Sequence, residues 1–82
     1  MKVHELKTVQ PYYDKIVSGK KRFEYRKNDR DFQIGDVLCL KEYNYAYDSF
    51  TGNSVIVKVL DLLKDFDGLN PDYCILSISD PI

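Results

Sequence analysis

The chain has 82 residues, 30% of them charged, with 12 Lys and Arg against 13 Asp and Glu for a net charge of −1. A chain of that length makes one domain, residues 1–82, and buries only about 60–65% of the surface its unfolded form exposes, so its core is thin. No apolar run approaches the roughly 20 residues a helix needs to span a bilayer, and Met1-Lys2-Val3-His4-Glu5 turns polar at once with no signal-peptide apolar region, so a cytoplasmic location and no membrane partner are expected.

Residues 3–9, Val3 to Val9, read as a first strand with imperfect alternation. Gln10 to Gly19 reads as a short helix. Pro11 suits a first turn, Tyr12 and Tyr13 with Ile16 and Val17 give an apolar face at i, i+4, and Gly19 stands where a C-terminal cap belongs. Arg22-Phe23-Glu24-Tyr25-Arg26 alternates as a strand does, aromatic side chains on one face and charged ones on the other. Gly35-Asp36 is a turn into a strand from Val37 to Tyr43. Asn44 to Ser54, rich in tyrosine and containing Thr51-Gly52-Asn53, reads as a long hairpin loop. A β-branched strand follows from Ser54 to Leu63, Asp65 to Pro71 breaks it, and Tyr73 to Ser79 is the last strand. Five strands and one helix, an α+β fold that is mainly β, predict a small closed or nearly closed barrel with the helix plugging one end, which removes exposed strand edges.

Charge is unevenly placed. Lys15 to Arg30 holds seven basic residues against Glu24 and Asp29, while the rest of the chain holds five basic and eleven acidic residues. Such segregation in a near-neutral protein points to a local positive patch. Within it, Gly19 lets the chain turn and Lys21 leaves the turn at the mouth of a strand. Glu24 and Arg26 then share one face. Lysine and arginine offer donors to phosphate or a base edge, and Glu24 offers an acceptor to an amino group. That mixture suits a nucleobase better than a bare phosphate. Without a partner, the same residues are a solvated charge pattern of little energetic weight.

Cys39 and Cys74 are too few and too far apart for a zinc knuckle or a redox pair, and with His4 as the one histidine no metal site is expected. Both cysteines read as small buried hydrophobes.

Gly19-x-Lys21-x-x-Glu24-x-Arg26 matches the G-x-K-x-x-E-x-R signature of ASCH domains, members of the PUA-like barrel superfamily. His4-x-Leu6-Lys7, Ser18-Gly19-Lys20-Lys21, the run from Phe23 and Glu24 through Arg26-Lys27-Asn28-Asp29-Arg30-Asp31-Phe32, Gly35-Asp36, Thr51-Gly52 and Tyr73-x-Ile75-Leu76 resemble the small ASCH-related family DUF3850 over nearly the whole chain. The resemblance implies a PUA-like β-barrel whose cleft is lined by the signature, and a module that binds RNA, another single-stranded nucleic acid, or a nucleoside or nucleotide, with no cofactor. The binding residues would be His4, Lys7, Lys21, Glu24, Arg26, Lys27, Arg30 and Tyr43. The basic groups would meet phosphates and Glu24 a base, and Tyr43, Tyr45 or Tyr47 would stack. The alternative is an amidohydrolase acting on N4-acylated cytidine, as in some small bacterial ASCH proteins that use a lysine, a threonine and a glutamate. Lys21 would be that lysine. Here the chain departs from the pattern: Glu24 stands in the threonine's place and no glutamate follows Glu42, which leaves Lys21 and Glu24 as the catalytic candidates.

Overall fold

Alternation of large apolar residues with polar ones produces five strands, and the computed structural model, which describes all residues from Met1 to Ile82, joins them into one sheet. The elements are β1 (Val3–Val9), α1 (Tyr12–Val17), β2 (Phe23–Lys27), β3 (Val37–Asn44), β4 (Ser49–Leu63) and β5 (Tyr73–Ile78). The strand order is β1-β3-β4-β5-β2. β1 runs parallel to β3, and every other neighbouring pair is antiparallel. The long β4 pairs with β3 through its first part and with β5 through its last, with a register shift between Val59 and Asp61 where it passes from one to the other.

The core lies on one face of this sheet. Leu6, Leu38, Leu40, Val55, Val57, Val59, Cys74, Leu76 and Ile78 project into it. Tyr13 and Ile16 enter from α1, and Phe32 enters from the connection between β2 and β3. Each large aliphatic side chain buried there contributes about 1.5–3 kcal/mol. Burial pushes the Cys74 thiol pKa up, as expected of an inert core residue. Cys39 is only half-buried, because its neighbours Leu38 and Leu40 take the inward positions.

Two expectations are corrected. The sheet does not close into a barrel: β1 and β2 stand at opposite edges and are not paired. The physical reason lies in the residues beside the seam. Arg26 and Arg30 cap the β1 carbonyls of Lys7 and Glu5 (2.7 and 3.0 Å), acceptors that a closing strand would otherwise take. The loop expected from Asn44 to Ser54 is also much shorter, because β4 already begins at Ser49. Gly52, at φ +94°, lies in a bulge between the Lys41–Ser54 and Tyr43–Phe50 pairs. A residue free to adopt positive φ turns an apparent loop signal into an irregularity within a strand.

The turn before β3 is tied to the start of β1. Asp36, buried, accepts hydrogen bonds from His4 Nε2 (2.8 Å) and from the main-chain N–H groups of Lys2 and Gln33 (3.0 Å each). The His4 hydrogen bond first, then those main-chain donors, hold the carboxyl pKa at about 2, below its ordinary 3.8. A depressed carboxylate stabilises the fold above its unfolded pKa, and that contribution is lost as pH falls through the folded value. The stability gap between the wild type and Asp36→Asn is therefore expected to narrow by up to about 2 kcal/mol between pH 5 and pH 2. Urea unfolding across that range checks this; a constant gap would contradict it.

Candidate functional site: a cleft on the open seam

Where α1 stops, Gly19 adopts φ +79° and the Lys21 N–H donates to the Lys15 carbonyl (3.0 Å), which turns the chain back toward the sheet. Lys21 therefore stands at the head of β2. Its ammonium donates to the Phe23 carbonyl (2.6 Å) and to Glu24 Oε1 (2.9 Å). Arg26 Nε donates to Glu24 Oε2 (2.8 Å), and its NH2 reaches across the seam to the Lys7 carbonyl (2.7 Å) and Thr8 Oγ1 (3.1 Å). Glu24, 4% exposed, is held between two cations with both oxygens engaged.

Lys21, Glu24 and Arg26 thus converge on one place, a cleft of about 550 Å³ between β2 and the end of β1. Lys7, Thr8 and Lys27 complete its polar lining. Its apolar walls are Val9, Tyr12, Phe23, Tyr25 and Tyr73, with Tyr25 and Tyr73 stacked at 4.9 Å and 20° between ring planes. The expected alternation in β2 holds, and its charged face is the one turned inward: Glu24 is buried while Phe23 and Tyr25 are half-exposed. Because β2 is an edge strand, both of its faces border the cleft.

The other candidate residues lie elsewhere. His4 is buried against Asp36 and packs edge-on to Phe32 at 4.8 Å, off the cleft. Arg30 staples the seam through the Glu5 carbonyl. Tyr43 is buried and lines a neighbouring pocket of about 240 Å³ with Glu42 and Tyr45. Lys7 links the two pockets: it lines the cleft while its Nζ stands 3.9 Å from the Tyr43 ring centroid, a cation–π contact. The Tyr43 hydroxyl donates to Asp48, which pushes the phenol pKa up. Glu42 accepts from Asn53, Thr51 and Gln10, and these bonds lower its pKa. Tyr45 and Tyr47 are exposed at the hairpin tip.

Sequence reasoning missed Thr8, Val9, Tyr12, Phe23, Tyr25 and Tyr73 as lining residues. Thr8 carried a signal, since it alternates with Leu6 on the inward face of β1. Tyr73 reaches the cleft only through its register opposite Lys27 across β5 and β2, which no local pattern encodes.

The family described as "Domain of unknown function (DUF3850)" matches residues 3–78, a range that contains the whole cleft lining from Lys7 to Tyr73. The chain is also 40% identical over 75 residues to the "Uncharacterized 12.9 kDa protein in GpA 3'region" of Escherichia phage P2. That alignment covers 92% of this chain and 66% of the phage protein, so the chain spans just under two thirds of its relative. With the seam, its arginine staples and the cleft all inside the matched range, the chain belongs to the DUF3850 family.

Proposed function

We propose that the cleft binds a nucleotide or a short single-stranded nucleic acid segment, RNA foremost, on an open variant of the PUA-like barrel to which ASCH domains belong. The observation that supports this best is the convergence of Lys7, Lys21, Arg26 and Lys27 with four aromatic rings on one cleft of ligand size. Aromatic faces accept bases of any identity, and cations beside them accept the backbone. Glu24 already neutralises much of Lys21 and Arg26, which leaves Lys7 and Lys27 as the phosphate-binding groups.

Fluorescence anisotropy with labelled single-stranded RNA and DNA tests the reading. With about two phosphates neutralised, the logarithm of affinity should fall against the logarithm of salt with a slope of about −1.4. Lys27→Ala should weaken all sequences alike and reduce that slope by about 0.7. No binding of any oligonucleotide or nucleotide at low salt would overturn the reading.

One observation favours a second reading, amide hydrolysis on N4-acylated cytidine: the Thr8 hydroxyl lines the same cleft as Lys21 and Glu24, so a threonine absent from the signature is supplied by β1. Against it, Lys21 Nζ already donates to a carboxylate and a carbonyl, whereas a base or nucleophile must present a free lone pair. Release of cytidine from N4-acetylcytidine, lost in Lys21→Ala, would establish the activity; intact substrate after long incubation with excess protein would exclude it.

A further inference from the structure

The free edge of β2 is part of the cleft, and hydrogen-bond parity shows which main-chain groups it presents. Ile78 N–H donates to the Arg22 carbonyl (3.0 Å) and Asn28 N–H to the Asp72 carbonyl (2.8 Å). Both contacts follow the β2–β5 register, in which Glu24 faces Leu76 and Arg26 faces Cys74. In an antiparallel pair only alternate residues exchange bonds with the partner. Arg22, Glu24, Arg26 and Asn28 therefore turn their main-chain groups toward β5, and Phe23, Tyr25 and Lys27 turn theirs toward the seam. The Lys21 ammonium confirms this side by capping the Phe23 carbonyl. Beside that capped carbonyl the edge presents the Tyr25 carbonyl and the Lys27 N–H, an acceptor and a donor side by side flanking Arg26, together with the Phe23 and Tyr25 N–H groups and the Lys27 carbonyl; Tyr25, Arg26 and Lys27 all line the cleft.

Resting on the nucleotide-binding reading above, we propose that the base is read by this main-chain pair, the Tyr25 carbonyl and the Lys27 N–H, and not by Glu24. Each Glu24 oxygen already accepts from a cation, and the side chain is only 5% exposed, so the carboxylate has a structural role beneath the ligand. The ligand class is then a planar heterocycle with a donor next to an acceptor on one edge, which is what the pairing edge of a nucleobase offers. An inserted polypeptide strand fits less well. Lying in the seam, it would also meet the facing β1 edge, where Arg26 and Arg30 already occupy the Lys7 and Glu5 carbonyls.

The test uses the wild-type chain, the four ribonucleoside 5′-monophosphates and ribose 5-phosphate. The best nucleotide should bind at least about tenfold more tightly than the base-free sugar phosphate, the gain expected from one to two well-made hydrogen bonds. In ¹⁵N-resolved NMR the Lys27 amide proton should move downfield with that nucleotide and not with ribose 5-phosphate. Equal affinity for nucleotides and ribose 5-phosphate would leave a phosphate-binding cleft standing and overturn main-chain base reading. A static Lys27 amide would also overturn it. Failure of every one of these compounds to bind would overturn this inference, and failure of the labelled oligonucleotides as well would remove the nucleotide-binding reading with it.

Discussion

Glu24→Ala is expected to lower the unfolding free energy by about 3 kcal/mol, the low end of what removing one partner of a buried ion pair costs. The variant leaves Lys21 and Arg26, with side chains 15% and 23% exposed, facing each other without their shared carboxylate. Their partial exposure keeps the loss from being larger. The Arg22–Asp80 pair, only slightly longer at 3.0 Å but more than 60% exposed on both sides, gives the contrast: Asp80→Ala should change stability by less than about 1 kcal/mol. Urea denaturation of both variants measures the difference. Replacing Glu24 and Arg26 together by leucine and methionine should recover part of the Glu24→Ala loss, since apolar groups of similar volume then leave one stranded charge, Lys21, in place of two. Equal, small effects for Glu24→Ala and Asp80→Ala would show that the Glu24 cluster is a surface feature.

Phe32→Ala should cost about 3–5 kcal/mol, the range for emptying a buried phenylalanine site. Phe32 is 1% exposed, comes from an irregular connection and packs edge-on to His4. Its loss opens a cavity and unseats the His4–Asp36 contact that ties β1 to the turn before β3. Against a total stability of about 5–15 kcal/mol for a domain, the variant should show a sharply reduced denaturation midpoint. Phe32→Leu should recover more than half of the loss. Phe66→Ala, at a residue 60% exposed, should change stability little. A Phe32→Ala midpoint close to that of the wild type would mean that Phe32 fills no core site.

The strands were legible because their periodicity is local. Tyr73 to Ile78 alternates Cys74, Leu76 and Ile78 inward, and Val55, Val57 and Val59 do the same in β4. The helix was legible through its i, i+4 face and Gly19. The hairpin was misjudged because glycine and polar residues in a bulged strand look like a loop until the partner strand is known. The cleft was half legible. Gly19-x-Lys21-x-x-Glu24-x-Arg26 names three residues that do meet, since a turn followed by alternation places them together. His4 had no such local geometry, and its position beside the family-like motif said nothing of Asp36, 32 residues away.

Taken alone, the sequence determined the element types, the inward apolar rows, and a cationic segment with one glutamate among its bases. Each of these depends on neighbours within a turn or a few strand residues. The tertiary structure alone decided that the sheet stays open and that arginine side chains hold its edges together. It also turned Glu24 into a buried counter-ion and left the Tyr25 carbonyl and Lys27 N–H facing the cleft. Those outcomes depend on strand order and register between segments far apart in the chain. A side chain's role at a seam is set by which backbone groups its fold leaves unpaired, and no local pattern of residues records that.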